Sequence, residues 1–184
     1  MPRPSFLRRR ALLIERLGQA IRRVKRQDDY HFAVFYFDFD GFKYINDSLG
    51  HQAGDQLLIA IARRMEEAIR DLDTVSRLGG DEFVIVADGI SIDEDALIAV
   101  QRIQEILAEP FEVQGHKVFM SASIGVVIGD GTYDQATDIL RDADLAMYQA
   151  KASGKSRYVI FSPEMRISYR KPARPSRRCP SPKE

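Results

Sequence analysis

The chain has 184 residues, of which 45% are hydrophobic and 29% are charged. This length and composition are typical of one globular α/β domain with a single core. No apolar run of about 18 residues is present, which excludes a membrane-spanning helix, and no secretory leader is recognisable. Cys179 is the only cysteine and can form no internal disulfide. We therefore expect a cytoplasmic protein, whose thiol stays reduced.

The charges are distributed unevenly, although the chain contains 27 Lys or Arg and 27 Asp or Glu. Basic residues concentrate in residues 1–27 and 163–184, which leaves an acidic central part. Proteins that bind nucleic acid usually carry a basic face on the folded domain, so we do not expect nucleic acid as a partner. The basic ends are either solvated charges or contacts for anions.

Two periodicities alternate along the chain. Apolar residues at every third or fourth position predict helices, and short apolar or alternating runs predict strands. In chain order these are a helix in residues 11–27, a strand at 32–37, a helix from Ala53 to Ile69, a hairpin of strands 73–77 and 83–87 that turns at Gly79 and Gly80, a helix over 97–107, a strand at 118–128, a helix over 139–150 and a strand at 158–161. This order predicts a mixed sheet with helices packed on it.

Three polar clusters lie at the ends of these elements. Residues 38–40, Asp-Phe-Asp, end the first strand, so their carboxylates are expected at the rim of the sheet, where oxygen ligands suit a hard cation. At the hairpin tip, two glycines allow a ligand to approach the backbone closely, and Asp81 and Glu82 follow directly. Lys151 and Lys155 end the last long helix at a spacing that lets both ammonium groups face one anion.

These clusters together suit a metal-bound polyphosphate, because Mg²⁺ is usually held by one or two carboxylates and the substrate's own phosphates. Each cluster alone has a simpler interpretation. Asp-x-Asp and Gly-Gly-Asp are common in turns, and lysines are favoured at the C-terminal ends of helices.

Four segments together resemble the GGDEF family of diguanylate cyclases. Residues 79–83 read Gly-Gly-Asp-Glu-Phe, the family signature. Residues 38–58, DFDGFKYINDSLGHQAGDQLL, follow the family pattern D-x-D-x-F-K-x-I-N-D-x-x-G-H-x-x-G-D-x-x-L. Residues 121–126, SASIGV, and 142–155, DADLAMYQAKASGK, match two further family segments. The resemblance covers about residues 10–161, with the motifs in the family's order.

The resemblance implies a central, mostly antiparallel sheet flanked by helices, as in nucleotide cyclases and polymerase palm domains. It also implies condensation of two GTP molecules into cyclic di-GMP, with release of pyrophosphate, by a homodimer in which each domain holds one GTP. The alternative is a catalytically silent domain that binds GTP or cyclic di-GMP and regulates a partner.

The resemblance also assigns the metal site and the catalytic residues by position. Asp38, the Phe39 carbonyl and Asp81 would bind two Mg²⁺ ions per active site, with Mn²⁺ as a possible substitute. Asp81 would assist loss of the proton from the ribose 3′-hydroxyl, and Glu82 would support the same site. Lys43 would stabilise charge at the phosphates.

The substrate-binding residues follow in the same way. Lys151 and Lys155 would hold the triphosphate, although arginine is common at the second position, so a bidentate contact becomes a point charge. Asn46 and Asp55 would recognise guanine, because a carboxylate accepts from N–H groups that adenine does not offer; a helix cap or a turn is the simpler role. The other expected substrate-binding residues are Phe42, His51, Gly79 and Gly80.

A second site is implied just before the signature. Arg70 and Asp73 stand at the offset of the family's R-x-x-D motif, where cyclic di-GMP binds and inhibits turnover. The alternative is an arginine that ends a helix and an aspartate that starts the next turn.

Both ends of the chain depart from the family pattern. Residues 1–9 are an atypical N-terminal segment, because the family's opening D-x-L-T-G-L-x-N-R is replaced by a basic stretch. The domain is expected to span residues 10–162. Residues 163–184 are predicted to be a basic, disordered tail. Residues 161–165, Phe-Ser-Pro-Glu-Met, resemble a linker into an EAL phosphodiesterase domain, so the chain is expected to be either a fragment or a shortened product.

Overall fold

The computed structural model describes residues 6–90 and 93–168, which form a five-stranded sheet with helices on both faces and a small separate hairpin. The helices are α1 (Phe6–Val24), α2 (Phe42–Leu49), α3 (His51–Ala68), α4 (Asp93–Ala108), α5 (Ala136–Ala152) and α6 (Met165–Ser168). The strands are β1 (His31–Asp40), β2 (Thr74–Gly79), β3 (Glu82–Ile90), β4 (Phe111–Val113), β5 (His116–Val118), β6 (Ser121–Gly129) and β7 (Tyr158–Ile160).

Strand β1 occupies the centre of the sheet, whose order is β2-β3-β1-β6-β7. It is antiparallel to both of its neighbours, β3 and β6. Strands β2 and β3 form an antiparallel hairpin, and β7 runs parallel to β6. The mixed, mostly antiparallel sheet flanked by helices is therefore confirmed.

The two faces of β1 supply two separate core layers, because successive side chains of a strand point to opposite faces. Ala33, Phe35, Phe37 and Phe39 pack in the layer formed with α3 and α4. Phe32, Val34 and Tyr36 pack in the layer formed with α1 and α5. Burial on both faces explains the continuous apolar run of this strand, and it places the first charged side chain of the strand at the rim of the sheet.

Helix α5 approaches β6 closely at Gly125. A Cβ atom built on Gly125 would lie 2.0 Å from the Ala143 carbonyl oxygen and 2.4 Å from the Met147 backbone nitrogen. Real Cβ atoms do not approach backbone so closely, so a hydrogen atom at this position allows the helix to lie directly on the strand. This contact sets the position of every polar residue that α5 carries.

Helix α2, the β4–β5 hairpin and helix α6 were not predicted from the sequence. Helix α2 has eight residues between two glycines of positive φ, Gly41 (φ 79°) and Gly50 (φ 86°). Its apolar residues Phe42, Ile45 and Leu49 have helical spacing, but two turns are too short a stretch for this spacing to be recognised. The β4–β5 hairpin has three-residue strands and a turn at Gln114 and Gly115, both with positive φ. Such short strands give too little alternation to be recognised.

The ends of the described chain are also helical. Helix α1 begins at Phe6, within the segment that was expected to be atypical. Residues 163–168 of the predicted tail include α6, where the Arg166 guanidinium donates to both oxygens of the fully buried Asp142 on α5. The Tyr133 hydroxyl donates to the same carboxylate at 2.9 Å. The predictions for residues 1–5 and 169–184 lie outside the described residues.

None of the helices in the described part of the chain is both long and apolar enough to cross a membrane.

The close approach at Gly125 makes a prediction about stability. Gly125→Ala should lower the free energy of unfolding by about 1–3 kcal/mol or more, because the added methyl group meets helix backbone that cannot turn aside. The measurement is urea denaturation followed by circular dichroism. Gly18→Ala in α1 is the matched control, because its Cβ would meet only the Arg22 guanidinium, at 3.4 Å. That control should be neutral or stabilising by up to about 1 kcal/mol; equal effects of the two substitutions would contradict this account.

Candidate active site at the sheet rim

Carboxylates from two strands and a turn converge at one rim of the sheet. Asp38, near the end of β1, lies directly opposite Glu82, the first residue of β3. Asp81 precedes Glu82 in the turn that follows β2. Partial burial raises the pKa of the Asp38 carboxyl, the Lys151 ammonium lowers it, and the charge of Asp81 raises it again. The sequence-predicted metal ligands Asp38 and Asp81 are thus brought together.

The turn that carries Asp81 is tight and fixed. Gly79 pairs with Glu82, so only Gly80 and Asp81 lie between the paired residues. Gly80 has a φ of 53°, which glycine adopts without steric cost, and its carbonyl accepts a 2.8 Å hydrogen bond from Arg77 Nε. A Cβ built on Gly79 or Gly80 would meet no heavy atom of the described residues within 4 Å. Open space therefore remains beside the backbone, as a bound ligand requires.

Glu82 lies near two other carboxylates. Burial raises the pKa of the Glu82 carboxyl, and the nearby charges of Asp144 and Asp38 raise it further. Burial also raises the pKa of the Tyr36 phenol, which lies beside Glu82 on the same face. Two carboxylates on other elements therefore disfavour ionisation of Glu82, and a bound cation would relieve this repulsion.

Lys151 is the basic residue of the rim. Its ammonium nitrogen lies 2.5 Å from Asp38 Oδ2, and its side chain is 31% exposed. The residue sits in the last turn of α5, where the helix dipole also favours a cation. It joins α5 to β1 at the point where the candidate metal ligands meet.

The loop after α5 has an unusual backbone. Lys155 (φ 63°) and Ser156 (φ 49°) both occupy the left-handed region, directly after Gly154 (φ 115°). Asp40 holds this loop, because its Oδ2 accepts from the Ser156 amide at 3.0 Å. The same carboxylate accepts from the hydroxyls of Ser121 (3.0 Å) and Ser123 (2.8 Å) on β6.

The residues expected to recognise guanine lie on α2 and α3, together with Lys43, one of the residues expected at the phosphates. A Cβ on Gly54 would lie 1.9 Å from Asn46 Oδ1, so this glycine makes room for the Asn46 side chain beside Asp55. Phe42 is buried, and its ring also lies against Gly54. Lys43, His51 and Asp55 are exposed to solvent.

The donor set of the rim fits Mg²⁺. Among the residues that the structure describes, no three acidic, histidine or cysteine side chains form a complete metal cage. Mg²⁺ does not need one, because it is usually bound through one or two carboxylates and completed by water and substrate phosphates. The half-buried Asp38 beside Asp81 is such an incomplete set of oxygen ligands.

Arg70 and Asp73 lie together at a second place, beside a small open cleft between α3, α4 and the sheet. The Asp73 carboxylate accepts from the Arg70 amide (3.0 Å) and from the Asp88 amide (3.1 Å). It therefore closes the turn after α3, as the simpler interpretation of the sequence requires. The exposed Arg70 side chain borders the cleft together with Asp95 and Arg102.

The architecture and this rim can be compared with known proteins. Residues 5–157 match the family model described as diguanylate cyclase, GGDEF domain. The chain belongs to the GGDEF family. This GGDEF domain is 36% identical to the crystal structure of the GGDEF domain of TpbB from Pseudomonas aeruginosa, with a TM-score of 0.79 over 83% of this chain and 95% of that one. It is 31% identical to the active GGEEF domain of a diguanylate cyclase from Vibrio cholerae, with a TM-score of 0.72 over 83% and 96% of the two chains.

The curated relatives of the GGDEF domain have different names. It is 41% identical over 156 residues to the bifunctional diguanylate cyclase/cyclic di-GMP phosphodiesterase MucR of Pseudomonas aeruginosa, covering 85% of this chain and 22% of that protein. It is 40% identical over 135 residues to the cyclic di-GMP phosphodiesterase NbdA of the same organism, covering 73% of this chain and 17% of that one. The chain therefore spans about a fifth of the length of these two relatives.

Three residues of interest in this GGDEF domain were not singled out from the sequence. Asp144 lies near Glu82. The sequence indicated it only through its position in residues 142–155, the family segment that also contains Lys151. Gly54 makes room for Asn46. The sequence indicated it because the family pattern has a glycine directly before the residue that matches Asp55. Arg102 lies on α4, in a stretch that carries no recognised motif, and only the fold brings it beside Arg70.

The ion pair at the rim predicts a change in titration. Lys151→Met should raise the pKa of Asp38 further, because the ammonium that opposes burial and the neighbouring acids is lost. Carboxyl ¹³C NMR titration measures this directly. Lys25→Met is the matched control, because Lys25 pairs with Asp134, and it should leave the Asp38 titration unchanged.

The direction in which the stability of Lys151→Met changes with pH also follows. An acid whose folded pKa is raised binds its proton more readily when folded, so Lys151→Met should lose stability as pH rises from the unfolded pKa through the raised folded pKa. A pKa of Asp38 that stays constant or falls in Lys151→Met would contradict the assigned role of the ion pair.

Proposed function

We propose that this GGDEF domain is a diguanylate cyclase that joins two GTP molecules into cyclic di-GMP and releases two pyrophosphates. The observation that carries the proposal is the convergence of Asp38, Asp81, Glu82 and Lys151 at one rim, beside an open glycine turn. Acids that hold a divalent cation and lysines that hold phosphates are what phosphoryl transfer from a nucleoside triphosphate requires.

Asp38, the Phe39 carbonyl and Asp81 would hold two Mg²⁺ ions, with Mn²⁺ as a substitute. The bound ions supply charge stabilisation at the α-phosphate and lower the pKa of the attacking hydroxyl. Asp81 accepts the proton of the ribose 3′-hydroxyl while the oxygen of that hydroxyl bonds to the α-phosphorus of the opposing GTP. The bond from that phosphorus to the bridging oxygen breaks, and pyrophosphate leaves. Glu82 would support the same site by adding a second carboxylate next to Asp81.

The basic residues and the α2–α3 segment would bind the rest of the nucleotide. Lys43, Lys151 and Lys155 balance the triphosphate charge, and Lys151 is already placed by Asp38. Asn46 and Asp55 recognise the N–H groups of guanine, and Gly54 keeps Asn46 in place. His51, Phe42, Gly79 and Gly80 complete the pocket.

Catalysis requires a homodimer, because one rim binds one GTP and the product contains two nucleotides. Each protomer contributes one nucleotide whose 3′-hydroxyl attacks the α-phosphate held by its partner. The rim lies at the edge of the sheet and its turn is open, which leaves room for a second rim to face it.

A second candidate function is regulation by a catalytically silent domain that binds GTP or cyclic di-GMP. The observation that favours it is the name of NbdA, a cyclic di-GMP phosphodiesterase that is 40% identical to this chain over 135 residues. Incubation with GTP and Mg²⁺ separates the two, because only the cyclase releases pyrophosphate.

The role of Asp81 is tested by Asp81→Asn. The amide keeps the shape of the side chain and removes a negative metal ligand and proton acceptor, so cyclic di-GMP formation should fall about 100-fold or more. Product is measured by chromatography at several protein concentrations, with circular dichroism as a check on folding. Asp134→Asn, a surface change beside α5, is the matched control and should retain wild-type activity. Unchanged synthesis by Asp81→Asn would overturn the cyclase assignment of this site.

We also propose that cyclic di-GMP inhibits the domain at Arg70 and Asp73. The exposed Arg70 side chain beside a cleft that is also lined by Arg102 supports this, because guanidinium groups bind phosphates and guanine edges. Asp73 has a structural part as well, since both of its oxygens accept backbone hydrogen bonds. Arg70 is therefore the cleaner position to test.

Arg70→Ala should weaken cyclic di-GMP binding about tenfold and prolong synthesis without slowing the first turnover. Calorimetry with cyclic di-GMP and progress curves with GTP measure the two effects. The control is Arg63→Ala. Arg63 is an exposed arginine of α3, and its replacement should leave both effects at wild-type values. Equal binding and equal slowing in wild type and Arg70→Ala would reduce Arg70 to a solvated residue at a helix end.

A further inference from the structure

Asp40 differs from Asp38 although both lie on the same face of β1, about 7 Å apart along the strand. Asp38 contacts one lysine side chain and remains partly open. Asp40 accepts three hydrogen bonds, from the hydroxyls of Ser121 and Ser123 and from the Ser156 amide. A carboxylate offers about four lone-pair sites, so Asp40 is nearly saturated by the protein and has little capacity left for a cation.

The amide that Asp40 accepts belongs to the left-handed loop of Lys155 and Ser156. Residues with a Cβ rarely adopt positive φ, and two in succession persist only where surrounding contacts hold them. The Lys155 amide donates to the Ala150 carbonyl at 3.1 Å, which ties the loop to α5. The bond from Ser156 to Asp40 ties it to β1, on the far side of Lys155. The backbone of Lys155 is therefore fixed on both sides.

We propose that Asp40 is a positioning residue that orients Lys155 toward the triphosphate. The inference rests on the proposed function, since it assigns Lys155 to the substrate phosphates. Asp40 connects the strand that supplies the metal ligand to the loop that supplies the lysine. The two aspartates of the Asp-Phe-Asp segment thus divide the work: Asp38 faces the cation, and Asp40 places a positive charge beside it. A lysine needs such placement, because its ammonium group lacks the planar fork of arginine.

The test compares two nucleotides that differ in their phosphates. Calorimetry in Mg²⁺ buffer measures the affinity for α,β-methylene-GTP, which cannot release pyrophosphate, and for GMP. Asp40→Asn should weaken binding of the triphosphate analogue about tenfold and change GMP affinity less than about twofold. Asp130→Asn is the matched control. Asp130 also accepts from an amide and a hydroxyl, both of Thr132, but in the loop at the other end of β6, and both affinities should stay at wild-type values.

A double-mutant cycle separates an action through Lys155 from an action on the metal at Asp38. If Asp40 acts through Lys155, Asp40→Asn combined with Lys155→Ala should bind the analogue no more weakly than Lys155→Ala alone. Amide hydrogen exchange at Ser156 should also accelerate in Asp40→Asn. If that variant does not fold, Ser123→Ala removes one bond to Asp40 and should shift the same quantities in the same direction.

Wild-type affinity for the analogue in Asp40→Asn, or additive losses in the double variant, would overturn the positioning role alone. If the wild-type protein binds α,β-methylene-GTP no better than GMP, the proposed function fails together with it.

Discussion

The contact between α5 and β6 at Gly125 is the constraint on which the rest of this domain depends. A helix that lies directly on a strand cannot shift along it without a steric clash, because the Ala143 carbonyl and the Met147 amide fill the space that a side chain would occupy. The helix carries Asp144 and Lys151 toward the acidic rim and Asp142 toward Arg166. The glycine at position 125 therefore sets the positions of three charged side chains, two at the rim and one beside Arg166.

The negative charges at the rim are only partly balanced by basic residues of the protein. Burial and mutual repulsion raise the pKa values of Asp38 and Glu82, and Lys151 opposes this only at Asp38. A domain optimised for stability alone would place fewer acids here or pair them fully. The buried Asp142 shows the contrast, since an arginine and a tyrosine satisfy it completely. Incomplete pairing at the rim is the property expected of a site that a cation and phosphates complete.

The sequence predicted what local patterns determine and missed what only the fold brings together. The apolar run of β1, the Gly79-Gly80 turn and the helical periodicity of α3 and α5 each come from neighbouring residues. Their order predicted a mixed sheet covered by helices, and the resemblance to the family supplied its mostly antiparallel arrangement. Helix α2 was missed because its eight residues are fewer than the stretch over which a helical repeat can be recognised. The bonds of Asp40 were missed because their donors lie on β6 and after α5, and no local pattern of residues 38–40 distinguishes a saturated carboxylate from an open one.

The central position of β1 has a consequence for synthesis on the ribosome. This strand leaves the exit tunnel about 80 residues before its partner β6, which begins at Ser121, and it carries apolar side chains on both faces. The bond from Ser156 to Asp40 spans 116 residues, so the loop of Lys155 is fixed only when nearly the whole domain has been translated. Until β6 has emerged, this apolar strand has no neighbour on one edge, which leaves that edge open to non-native pairing.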